Sequence, residues 1–123
     1  MLELTINNAV YQFKFGMGFL KEINRVYQKP IDGVPNAKEN IGLQMHVVGL
    51  QAGGCEYLIE VLDAANKGQN PRVTKALLEQ YIDECEDIDK LFEDVLTDLK
   101  SSNATKIVTV KMLEELAKNQ ANA

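Results

Sequence analysis

The chain has 123 residues, 46% of them hydrophobic and 25% charged, with a formal net charge of −5. That length suits one domain with a core of its own, burying about two thirds of the surface an unfolded chain exposes, and the apolar fraction is too high for a disordered segment. The acidic balance, with a pI near 4.9, excludes nucleic acid as the main partner, because a phosphate backbone is bound by clustered Lys and Arg.

No apolar run nears the ~20 residues that span a bilayer, so no membrane role is expected. The opening "MLELTINN" has neither the basic region nor the apolar core of a signal peptide, and the expected location is the cytoplasm.

In "LELTINNAVYQFKFG", Leu2, Leu4 and Ile6 alternate with polar residues. Asn7 and Asn8 tolerate the positive φ that a two-residue hairpin turn demands. Closing the turn there pairs Ile6 with Ala9, Leu4 with Tyr11 and Leu2 with Phe13, which puts the apolar members on one face. From Met17 the period lengthens, with Phe19, Leu20, Ile23, Val26 and Tyr27 on a helical stripe, and a first helix of about three turns is expected. It stops at "KPIDGVPNAK", where Pro30, Asp32, Gly33 and Pro35 favour turns, and this is read as one long loop.

"ENIGLQMHVVGLQAGG" fits two periods. Ile41, Leu43, Met45 and Val47 alternate like a strand, while Ile41, Met45, Val48 and Ala52 share a helical face. Its length and the stop at Gly53 and Gly54 favour a helix buried on most sides; as a strand over 40–52 it would pair beside the hairpin and make the fold α+β.

"CEYLIEVLDAANKG" is apolar nearly all round, as a central core helix is, and ends at Gly68. Thr74 is a candidate N-cap for a helix whose stripe is Val73, Leu77, Leu78, Tyr81, Ile82 and Cys85. Ile88, Leu91, Phe92, Val95, Leu96 and Leu99 mark the clearest helix. "SSNAT" ends it and caps a last one, β-branched at its start, that frays into "NQANA". The expected fold is mainly α: a compact bundle of about five or six helices with an N-terminal β-hairpin. One domain over 1–123 is expected, with the hairpin at 1–15, helices over 16–119 and a frayed C-terminus.

Residues 81–99, "YIDECEDIDKLFEDVLTDL", are dense in carboxylates. Glu79, Asp83 and Glu86 on one helix, and Asp89, Glu93, Asp94 and Asp98 on the next, fall opposite the apolar stripes and should face water. Asp87 and Asp89 also favour the helix start that follows them. A calcium loop needs oxygen ligands at alternate positions and a turning Gly, which "DECEDIDKLFE" lacks. No metal is expected. Cys55 and Cys85 are too few for a metal knuckle or disulfide framework and read as buried thiols. His46, the one histidine, reads as a satisfied core residue. No nucleophile, phosphate or dinucleotide motif occurs, so no catalytic residues and no cofactor are expected.

The order of the pieces carries more information than any one motif. "YQFKFGMGFLKEIN", "AANKGQNPRVTK" and "DIDKLFEDVLTDLKSSNATK", in this sequence, resemble the tail assembly chaperones of long-tailed phages and prophages of Gram-positive bacteria, and the resemblance covers almost the whole chain. It implies a non-enzymatic helper that self-associates as a homo-oligomer and coats the tape-measure protein until major tail protein polymerises around it. It implies action in the host bacterial cytoplasm and absence from the mature virion. It also implies a frameshift-extended form of the chain whose extension recruits the major tail protein, this chain being the short form.

Such a cover needs many weak, reversible contacts made by a soluble, self-repelling protein. The densest aromatic cluster from which a contact surface could come is Phe13, Phe15, Met17 and Phe19, for which plain core is the competing reading. Two other classes remain. A bacterial helical adaptor or regulatory domain would be encoded away from phage structural genes, and a small enzyme subunit should show a polar, partly buried cluster around His46.

Overall fold

The computed structural model describes residues 1–121. Strand β1 (Leu2–Ile6) pairs antiparallel with β2 (Ala9–Phe13) in the register Leu2↔Phe13, Leu4↔Tyr11, Ile6↔Ala9. Asn7 and Asn8 turn the chain with φ of 51° and 67°, the left-handed pair that a two-residue hairpin of this twist requires. The register puts Ile6, Tyr11 and Phe13 in the core, with Leu2, Leu4 and Ala9 packed against it.

Helix α1 (Met17–Asn24) is shorter than the expected three turns. Val26 is exposed, and Tyr27 lies outside the helix, just before the next strand. Three bonds cut the helix short. Arg25 N–H closes a tight turn on Glu22 O, Asn24 Oδ1 accepts from Leu43 N–H at 3.0 Å, and Tyr27 O accepts from Ile41 N–H at 2.9 Å. The last of these begins a second hairpin, β3 (Gln28–Pro30) with β4 (Lys38–Asn40). The stretch read as a loop is therefore an arm clasped at its base. Three-residue strands exposed on both faces leave no alternation to read.

The segment with two possible periods is α2 (Gly42–Gln51), buried at Gly42, Leu43, His46, Val47, Gly49 and Leu50. Burial on most sides is why its pattern could also pass for a strand. Helix α3 (Cys55–Asn66) is the central one, with Leu58, Val61 and Leu62 at 0% exposure, and it packs on α1, α2, β2 and α4 (Lys75–Glu84). Burying each such side chain contributes roughly 1.5–3 kcal/mol.

Thr74 caps α4, its Oγ1 accepting from Leu77 N–H at 3.1 Å, and Asp87 caps α5 (Ile88–Ser101) through Lys90 N–H at 3.1 Å. Each cap satisfies an amide that the first helical turn leaves without a partner. Leu91, Val95 and Leu99 form the buried stripe of α5. Helix α6 (Lys106–Ala121) lies on α2 and α5. Thr105, the last residue of the "SSNAT" stretch expected to cap it, donates to Leu99 O at 2.7 Å and so ties the end of α5 to the start of α6. The expected fraying at "NQANA" falls partly on 122–123, outside the described residues; α6 itself continues to Ala121. The observed fold is mainly α, six helices among the described residues behind an N-terminal hairpin. No described helix is long and apolar enough to cross a membrane.

Candidate functional site

The parity of β2 sends Phe13 inward with Tyr11, and the chain carries Phe15 and then Phe19 of α1 into the same core. Phe13 is 0% exposed, Phe15 and Phe19 are each 3% exposed, and the Phe15 and Phe19 rings meet edge to face at 5.1 Å. Of the four residues read as a contact surface, Met17 alone is accessible, at 57% exposure. It stands between two shallow depressions. One, about 530 Å³, includes Met1, Lys14 and Ala104; the other, about 480 Å³, includes Leu20, Lys21 and Arg25. An exposed thioether with cations around it is an adaptable apolar contact. The phenylalanines hold up its floor.

His46 is fully buried between Tyr27 and Tyr57, whose rings each meet it edge-on at 5.4 Å. Its Nδ1 lies 2.7 Å from Gly42 O, and its Nε2 contacts Glu60 Oε2. A carbonyl can only accept, so Nδ1 is the nitrogen that donates to Gly42 O. Tyr27 Oη donates to the same Glu60 oxygen at 3.5 Å, and the Glu60 charge, with burial added, pushes the Tyr27 phenol above its ordinary value. This is a polar cluster around His46, the arrangement set out above as a mark of an enzyme. The imidazole, however, has both nitrogens engaged and no exposed edge to offer a substrate. The cluster locks α2 to α3 and to the start of the β3–β4 arm.

Glu60→Gln tests that lock. It should bring the Tyr27 ionisation back down toward the ordinary tyrosine value in an ultraviolet titration. It should also cost about 1–2 kcal/mol in urea unfolding, discounted because the Glu60 side chain is 41% exposed. An unchanged Tyr27 titration would contradict the assignment.

The carboxylates at 79–94 largely face water, as the stripes implied, and Asp94 holds Lys90 at 3.1 Å, raising its ammonium pKa. Asp98 departs from that reading: its Oδ2 is buried without a hydrogen-bond partner, as is Thr109 Oγ1 on α6. No three described His, Cys, Asp or Glu side chains converge as metal ligands would. Cys55 and Cys85 are free and half-buried rather than fully buried, because they stand at helix ends, Cys55 opening α3 and Cys85 closing α4.

The motif "AANKGQNPR" resolves into a hub. Asn66, fully buried at the end of α3, donates to Gln12 O at 2.9 Å and Pro71 O at 3.2 Å. Its Oδ1 accepts from Val73 N–H at 2.6 Å and Arg72 Nη1 at 3.1 Å. Arg72 in turn pairs with Asp63 at 3.0 Å. One amide thus fastens the hairpin, α3 and the 67–73 turn together.

The sequence model of the phage tail assembly chaperone protein family matches residues 3–114. The chain belongs to the phage tail assembly chaperone family. No curated protein and no solved structure matches it. The tail assembly chaperone match runs from β1 into the second half of α6 and so takes in the hairpin, the His46 cluster, the Asn66 hub and the acidic helices.

Within this chaperone, reading the sequence missed Glu60, Asn66, Gly42 and Gly49. Each left a trace. Glu60 is a carboxylate on a helix apolar nearly all round, one lone histidine away from a partner. Asn66 ends an apolar helix just before a Gly. Gly42 and Gly49 interrupt a helical pattern, which implies close packing.

Proposed function

We propose that this chaperone works without catalysis, as one domain in the host bacterial cytoplasm. It self-associates, binds and solubilises the tape-measure protein of a long-tailed phage, and leaves before the virion is complete. A frameshift-extended form of the same chain joins the assembly and brings in the major tail protein. The observation that carries this reading is the family match over 3–114. Surface chemistry supports it. Met1, Met17, Val48, Ile107 and Val110 are exposed apolar side chains on an otherwise acidic protein, which suits weak contacts repeated along a partner.

Co-expression tests it. The tape-measure protein encoded beside this chain should be insoluble alone, soluble with the chain, and retained with it on purification. Met17→Glu should weaken that hold at least about tenfold, near 1.4 kcal/mol, while stability moves by no more than ~0.5 kcal/mol because Met17 is exposed. A tape-measure protein equally insoluble with and without the chain would overturn the reading. For the extended form, a slippery heptamer near the stop codon, with an overlapping downstream frame, is the expected finding.

A further inference from the structure

Strand β1 has a free edge. A two-residue turn makes Ile6 and Ala9 a hydrogen-bonded pair, and in this register the alternation sends the N–H and C=O of Glu3 and Thr5 away from β2. The other side of the hairpin confirms the parity: Lys14 N–H donates to Ala65 O at 2.9 Å and Gln12 O accepts from Asn66 Nδ2, so α3 closes the edge of β2. No hydrogen bond from the described residues reaches the outward groups of Glu3 or Thr5.

A groove of about 520 Å³ runs beside that free edge, within the ~300–1,000 Å³ range of binding clefts. One wall is the consecutive run Leu4, Thr5, Ile6 and Asn7, with no residue of β2. Neighbours along a strand point to opposite faces, so four in a row in one wall mark an edge. The facing wall is the corner where α4 passes to α5, with Tyr81 and Leu91 as apolar surface. Glu84, Glu86, Asp87 and Asp94 surround it, and the one cation in the lining, Lys90, is already held by Asp94.

We propose that this groove receives an extended segment of another protein as a third strand on β1, one in which lysine or arginine alternates with apolar residues. The inference rests on the protein-binding reading above and gives that reading a second, separate surface. The outward amide and carbonyl of Thr5 supply the main-chain bonds. Apolar side chains of the incoming strand continue the face of Leu4 and Ile6. The intervening ones fall on the face of Glu3, where long basic side chains reach the carboxylates of the corner. A second copy of β1 fits worse, since it sets Glu3 and an acidic groove against their own likeness.

The test uses the full chain and fluorescein-labelled heptapeptides, read by anisotropy. A peptide of alternating valine and lysine should bind saturably, more weakly at 200 mM than at 50 mM salt. The valine–glutamate peptide, and the valine–lysine peptide with alternate amides N-methylated, should each bind at least tenfold more weakly. Thr5→Pro removes an outward N–H, at a position where proline takes no bond from the β1–β2 ladder, and should abolish binding in a folded protein; Glu84→Lys with Glu86→Lys should weaken it at least tenfold. Equal binding of the glutamate or N-methylated peptide, or unchanged binding by folded Thr5→Pro, overturns the proposal. Self-association lost in Thr5→Pro without any peptide binding overturns it too, in favour of a second copy. Should Thr5→Pro fail to fold, the methylated peptide and the charge variants decide. Because no tape-measure protein takes part, this result and the co-expression result can each fail alone.

Discussion

Asn66→Ala should lower the unfolding free energy by about 2–4 kcal/mol, a large share of the ~5–15 kcal/mol a domain holds. The methyl group keeps none of the four hydrogen bonds made by the amide. Val73 N–H is left in a site 2% exposed, where no water replaces the lost acceptor. Gln12 O is half-buried and recovers part of its loss, and Pro71 O, at an exposed residue, recovers most. Asn66→Asp should not rescue stability, since it turns an oxygen toward two carbonyl oxygens that the native amide serves as donor. Urea midpoints followed by circular dichroism check this, and a loss under ~1 kcal/mol for Asn66→Ala would contradict the hub.

Gly42→Ala should cost about 3 kcal/mol or more, at the upper end for overpacking. A Cβ there would lie 2.0 Å from Ile23 O and 2.9 Å from Asn24 Cα. Those are backbone atoms and no rotamer change relieves them. The helices must separate, pulling Asn24 Oδ1 off Leu43 N–H. Gly18→Ala, inside α1 with nothing within 4 Å of the added carbon, should instead stabilise by roughly 0.5–1 kcal/mol. Thermal unfolding of the two variants should shift in opposite directions. Gly42→Ala melting like the native chain would show that α1 and α2 are not in backbone contact.

The parts of the fold that could be read from sequence are those whose local rules agree with their packing. The hairpin register followed from two asparagines and one alternating stripe, and α5 followed from a stripe that no other period fits. The β3–β4 arm could not be read, because its strands bury neither face and its pairing is set by bonds from Tyr27 and Asn24 to residues 14 and 19 positions ahead, across a turn. The aromatic cluster illustrates a second limit. Composition marks Phe13, Phe15, Met17 and Phe19 alike as apolar, and only their placement on β2, on α1 and in the connection between them separates three core rings from one exposed thioether. The roles of Glu60 and Asn66 depend on partners 14 and 54 residues away, a separation that no local pattern records.

The most direct test of the proposed chaperone function is whether this chain and a tape-measure protein of a long-tailed phage elute as one complex, and at what mass, measured by light scattering after size exclusion. One tape-measure chain carrying several copies of this protein, which fall away when the major tail protein is added and tubes form, is the expected result. A tape-measure protein that elutes at its own mass, with this chain separate from it, would contradict the proposed function.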